Sequence, residues 1–459
     1  MGVFGALNTA VNGLQSQSYA LQNISGNIAN SQTIAYKSVD TSFLNMIPDL
    51  PPDQQTAGGV KAQSRPTNTV QGSIQNASVG TYMAISGDGY FAVKQPTGTS
   101  GTTTQFAGTD LYTRRGDFSM NQNGYLVNGS GYYLEGIPVD PTTGNAVGSA
   151  TAPLQLGSSF LAASGTSTIT YGANLPTYPK TTNADAAVAN SELLDPTGFT
   201  AGYHPTTTGA GGNNVVIGQD NTTFLNESLD GGSVTAYDAS GQAANVQLRW
   251  AKTASVASGG TDTWNLFYQK DSSATGTTTQ WVNTGQDFTF DSSGNLSSGN
   301  SSVALTGVAV DGTSLGNLTL QLSPTQYADS SGAVTVNTLQ QDGYPAGQLQ
   351  TISVTKSGRI AGTFTNGKTV DLAEMPLYHF ASPNNLKALD GGAYEATGDS
   401  GTPLAGASGK IVGSSLEGSN ADIADQFTKL IVTQQAYSAN TKVITTANQM
   451  SQEMMNMLR

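Results

Sequence analysis

Residues 3–30 read VFGALNTAVNGLQSQSYALQNISGNIAN, and within them Leu7, Leu14, Leu21 and Ile28 recur at every seventh position. Phe4, Val11 and Ile24 widen the stripe. At the other end of the chain Ile423, Leu430, Tyr437, Ile444 and Leu458 keep the same spacing, flanked by Phe427, Ile431, Met450, Met454 and Met457. A sustained seven-residue apolar repeat makes a helix seam that must be buried against another helix. One seam lies at each end, so the simplest burial is of each against the other. The pattern predicts an α+β multidomain chain whose terminal helices pair as a coiled-coil-like core, with nested all-β domains between them.

The first charged residue is Lys37. A surface helix normally carries Lys and Glu on its outer face. Here the polar face is Asn8, Asn12, Gln15, Gln17, Gln22, Asn23 and Asn27. Amides can be buried if they find hydrogen-bond partners, whereas charges hardly can. The helix is therefore expected to pack on every face within an assembly. Gly13 and Gly26 each lower its intrinsic helicity by roughly 1 kcal/mol, so without partners it is marginal.

Between the helices the periodicity changes. Residues 31–70 read as an extended linker, because Pro48, Pro51, Pro52, Pro66 and Gly58-Gly59 interrupt any helix. From 71 onward short β-prone runs alternate with turn signals. Tyr82–Ser86 and Tyr90–Val93 flank Asp88-Gly89, a hairpin signal, and Asn123-Gly124, Asn128-Gly129 and Asn366-Gly367 mark further turns. Residues 146–340 differ in character. Thr, Ser, Gly and Ala tracts surround strands such as Val246–Trp250 and Trp264–Tyr268, with turns at Asp238–Gly241, Asp291–Gly294 and Asp329–Gly332. Asp-x-x-Gly is ordinary turn chemistry, not a calcium loop. The expected organisation is a helical core from 1–30 and 420–459, a linker at 31–70, an inner β domain from 71–145 and 341–419, and an outer β domain at 146–340.

Composition excludes several functions. The net charge is −13 with only 18 Lys plus Arg, which disfavours nucleic acid and anionic membrane surfaces. There is no Cys, hence no disulfide or thiolate chemistry. No run approaches the ~18 apolar residues of a membrane span, and the first residues lack the basic and apolar regions of a cleaved signal. His204 and His379 are the only histidines, and neither has companion ligands nearby in sequence. Neither a phosphate-binding loop nor a nucleophile elbow is present. No catalytic residue, cofactor or metal is expected.

Three stretches then resemble the bacterial flagellar axial proteins, the family of rod and hook subunits. Ser25–Lys37 is similar to the family's N-terminal signature, which contains Asn27, Ile28 and Asn30, with Ala35 where Gly is usual. Ile85–Phe91, Tyr112–Phe118 and Asn123–Val127 resemble its shared β domain. Leu416–Asp422 leading to Gln434–Asn440 resembles its C-terminal signature. Rod subunits generally lack a block like 146–340, so the resemblance is to the hook branch, with a distal rod or other axial subunit as the alternative. It implies a non-enzymatic homo-polymer, a curved tube passing motor torque from rod to filament. The implied partners are the distal rod protein, the hook cap protein, the hook–filament junction protein and the flagellar type III export apparatus. The implied location is the extracellular hook, reached without a cleaved signal. The expected self-assembly residues are Phe4, Leu7, Val11, Leu14, Leu21, Ile24, Asn27, Ile28, Asn30, Ile423, Phe427, Leu430, Tyr437, Ile444, Met454 and Leu458.

Overall fold

The computed structural model describes residues 3–46, 58–100, 103–141, 143–157, 160–206 and 213–457. Among these, the α-helices are α1 (Val3–Ala29), α2 (Asn221–Asn226) and α3 (Ile423–Met457). The chain forms two compact units. One joins Met1–Ser159 to Leu349–Arg459, and the other is Phe160–Gln348.

In the first unit α1 and α3 lie side by side. Asn27 Nδ2 donates to Gln426 Oε1 at 3.1 Å, and a Cβ on Gly13 would lie 2.9 Å from Asn440 Nδ2. About four turns separate these two contacts on each helix, and they run in opposite senses, so the pair is antiparallel. Side chains set the ends. Asn30 Nδ2 and Ser31 Oγ donate to the carbonyls of Gly26 and Ile28 as α1 closes. Asp422 Oδ1 accepts from the Ala424 and Asp425 amides as α3 opens, which satisfies free N–H groups at the helix start.

The helices meet on a different seam from the one the periodicity suggests. The buried positions of α1 are Ala10, Gly13, Ser16, Ala20, Ile24 and Asn27. Those of α3 are Gln426, Thr433 and Ala447. At Gly13 the helices approach closely, since a Cβ there would meet Asn440, and of the large apolar side chains of the stripe only Ile24 is buried among the described side chains. Leu7, Val11, Leu14, Leu21 and Ile28 are only half-buried.

Residues 31–70, expected as a linker, contain a long antiparallel hairpin. Its strands are β1 (Val39–Asn45) and β2 (Val60–Pro66), in register from Val39↔Pro66 to Asn45↔Val60. It lies along α1 and takes up the polar face. Ser16 Oγ donates to the Val60 carbonyl at 3.0 Å, Asn23 Nδ2 to Thr41 Oγ1 at 2.9 Å, and Asn27 Nδ2 to the Val39 carbonyl at 3.0 Å. Tyr19 OH and Ser64 Oγ lie 2.7 Å apart. Part of the uncharged polar face is thus spent within the chain itself.

The β body of this unit interleaves strands from both halves of the sequence. Tyr133–Pro138 pairs with Thr369–Glu374 on one side and Tyr90–Lys94 on the other, and Leu111–Thr113 pairs with Ala393–Glu395. Asn123-Gly124, Asn128-Gly129 and Asn366-Gly367 sit between paired strands. Asp88-Gly89 does not make the expected hairpin. Met83–Ser86 pairs instead with Lys410–Gly413, while Gln71 Oε1 accepts from the Gly87 amide and Arg114 Nη2 donates to its carbonyl. These long-range partners outcompete the local turn.

The second unit carries two sheets. Thr168–Asn174 runs parallel to Thr313–Thr325 in one. The other is an antiparallel meander of Leu229–Tyr237, Ala243–Ala254, Thr263–Gln269 and Thr279–Phe290. A single apolar cluster contains Ile169, Tyr171 and Leu320 from the first sheet and Trp250, Trp264 and Phe288 from the second. The Trp250 indole donates to Tyr171 OH at 3.0 Å inside it.

Candidate assembly site at the root of the terminal helices

The chain leaves α1, makes a tight turn and reaches Lys37; it returns to α3 through Glu417 and Asn420. Lys37 Nζ lies 2.6 Å from Glu417 Oε1, and Arg114 Nη1 lies 3.3 Å from Glu417 Oε2, with all three side chains almost sealed from water. The remaining valences are largely filled. Lys37 Nζ donates to the Val70 carbonyl, the Gly72 amide donates to Glu417 Oε1, and the Arg114 guanidinium stands 5.5 Å over the Tyr90 ring. Burial pushes the Lys37 ammonium below its ordinary pKa, and the Glu417 carboxylate opposes that shift. Burial also raises the Tyr90 phenol to about 12.

A second set of bonds surrounds the triad. Asn420 Oδ1 accepts from the Ser38 amide at 2.6 Å, and its Nδ2 donates to Thr67 Oγ1 and the Val70 carbonyl. Tyr36 OH donates to Asn27 Oδ1. The Ala35 amide donates to the Glu417 carbonyl at 2.8 Å. Ala35 has φ +55°, a left-handed conformation natural to Gly and strained for Ala.

Each of the three signature stretches thus contributes one member of one buried cluster: Lys37, Arg114 and Glu417. None of these three was an expected assembly residue. The available signal was a charged residue within each motif; nothing in a single sequence links positions so far apart.

The expected assembly residues divide by exposure. Ile24 and Asn27 are buried within the chain. Leu7, Val11, Leu14, Leu21, Ile28, Asn30, Leu430 and Ile444 are half-buried. Ile423, Phe427, Tyr437 and Met454 are exposed, as are Ile431, Val432, Val443 and Met450 on the same helix. Leu458 and the side chain of Phe4 lie outside the described residues. His204 and His379 belong to different units. Among the described residues no cluster of three His, Asp or Glu side chains could hold a metal, and no helix is long and apolar enough to cross a membrane.

The two helices form one antiparallel pair rooted in a β body, and Phe427, Ile431, Met450 and Met454 of α3 are left exposed along it. Comparison with known proteins shows what the chain is similar to. Residues 84–169 match the flagellar hook protein FlgE/F/G D1 domain, 217–344 the flagellar basal body protein FlaE D2 domain, and 412–457 the flagellar basal body rod FlgEFG protein C-terminal region. The chain is 28% identical over 465 residues to the flagellar hook protein FlgE of Brucella suis biovar 1 (strain 1330), covering all of both chains. It is 25% identical to that of Salmonella typhimurium (strain LT2), covering 98% of this chain and all of the other. A crystal structure of the Helicobacter pylori flagellar hook protein FlgE2 aligns over 73% of this chain and 98% of its own, at 16% identity and a TM-score of 0.46. Over its whole length the chain is thus similar to flagellar hook proteins, and three of its segments match domain models of hook and rod proteins.

Proposed function

We propose that this chain is the structural subunit of the bacterial flagellar hook. It polymerises into a curved tube that passes motor torque from rod to filament while bending. It is not an enzyme. The observation that carries the reading is the full-length match to hook proteins together with matches to three hook and rod domains. Coverage of 217–344 by one of those matches favours hook over distal rod, since an extra domain at that point distinguishes the hook branch.

The apolar positions left open in one copy are the proposed contacts between copies. Phe427, Ile431, Met450 and Met454 on α3, and the half-buried Leu7, Leu14 and Leu21 on α1, meet neighbouring copies and complete a coiled-coil-like packing there. Burying side chains of this size contributes about 1.5–3 kcal/mol each. Asn30, Tyr437 and Ile444 join this surface. The unit Phe160–Gln348 tunes bending and is dispensable for the helical seam. The subunit leaves by the flagellar type III apparatus without a cleaved signal and contacts the hook cap, distal rod and hook–filament junction proteins. Electron microscopy of polymerised protein tests the reading: curved tubes support a hook subunit, and straight tubes support a rod subunit.

A further inference from the structure

A groove of about 570 Å³ opens within the unit formed by Met1–Ser159 and Leu349–Arg459. Its floor is apolar, with Met375, Leu377 and Ile411 buried beneath it. Its rim carries Lys356, Lys410 and Glu374. Glu374 is already engaged, its Oε2 lying 2.9 Å from Arg359 Nη2. Lys356 and Lys410 have no ion pair or side-chain hydrogen bond among the described residues. The unspent charge of the groove is therefore positive.

Both lysines stand on fixed backbone. Lys356 lies in a turn closed by the Gly358 amide donating to the Thr355 carbonyl at 3.0 Å and the Arg359 amide donating to Thr355 Oγ1 at 3.2 Å. Gly358, at φ +79°, brings that turn so close to Ile411 that a Cβ would stand 3.3 Å from its side chain. Lys410 opens the strand paired with Met83–Ser86.

The chain has 31 acidic and 18 basic residues, so copies brought together repel unless carboxylates of one meet cations of the next. We propose that this groove receives a carboxylate-bearing loop of a second copy, its apolar atoms on Met375, Leu377 and Ile411 and its charge between Lys356 and Lys410. The inference rests on the polymer reading above and names one contact of that polymer outside the helices.

The test compares the full chain with Lys356→Gln/Lys410→Gln and Lys356→Glu/Lys410→Glu, reading the critical concentration for polymerisation by sedimentation. At about 0.1 M salt the Gln pair raises it about threefold and the Glu pair about tenfold. At about 0.5 M salt the differences shrink, because screening shortens the reach of the charges. The lysines are exposed, so unfolding midpoints stay unchanged. Equal critical concentrations, a rise insensitive to salt, or a rise accompanied by a lowered midpoint overturns the inference. A parent chain that never polymerises contradicts the hook reading instead, and the two failures are distinguishable.

Discussion

Lys37 and Glu417 are 380 residues apart in sequence and 2.6 Å apart in space, with both side chains sealed from water. Their contact, extended by Arg114, fastens the root of each terminal helix to the β body. Burying a charge pair is expensive, but removing one partner is worse, because the survivor is left uncompensated.

Glu417→Ala therefore leaves Lys37 and Arg114 facing each other without a counter-charge. It is expected to lower stability by about 3–5 kcal/mol. Lys37→Met/Glu417→Leu, which removes the principal ion pair, is expected to lose less than Glu417→Ala alone. Urea unfolding of the two variants checks this. Equal losses contradict the account.

Ala35 holds φ +55° with its amide bonded to Glu417. A left-handed conformation costs an L-residue roughly 1–2 kcal/mol, partly offset by the greater unfolded-state freedom of Gly. Ala35→Gly is expected to stabilise the protein by about 0.5–1 kcal/mol, read as a higher denaturation midpoint. A lower midpoint contradicts the strain assignment.

Glu135 is buried beside Lys94, 3.7 Å away, and neither of its oxygens has a hydrogen bond. Burial, with the nearby Asp110 charge, raises its pKa from 4.5 to about 7, and Lys94 opposes the shift. The folded state thus holds this proton more tightly than the unfolded chain does. Its contribution to stability is complete below about pH 4.5 and is lost as pH rises through about 7. The loss is about 2 kcal/mol, allowing for partial screening. Glu135→Gln is expected to flatten the stability profile between about pH 5 and 8, and an unchanged slope contradicts it.

Much of this architecture can be read from the sequence, and the gaps have physical causes. Both terminal helices follow from apolar spacing. The face each turns to its partner does not, because the Leu7–Ile28 stripe and the small-residue stripe through Ala10, Gly13 and Ala20 repeat with nearly the same period. The uncharged amides of α1 signal burial correctly, yet Asn23 and Asn27 are satisfied by a hairpin of the same chain, which the proline-rich reading of 31–70 misses. Asp88-Gly89 carries a local turn signal that pairing with Lys410–Gly413 overrides. The buried charge cluster joins residues whose proximity only the fold creates.

Leu14→Asp and Ile444→Asp place a charge at half-buried helix positions. Each is expected to abolish polymerisation while the β body stays folded, since an unpaired charge in a closed seam costs several kcal/mol. Normal tubes from either variant, with circular dichroism unchanged, contradict the seam.

Replacing Phe160–Gln348 with a short Gly-Ser bridge is expected to leave tube formation intact and to change curvature and motility. Unchanged curvature and swimming contradict a role in bending.

Cryo-electron microscopy of the polymerised chain would show directly what covers the exposed flank of α3. The expected result is a tube in which Phe427, Ile431, Met450 and Met454 of α3 are buried against neighbouring copies. A polymer in which these side chains face solvent, with every contact between copies made by Phe160–Gln348, would contradict it.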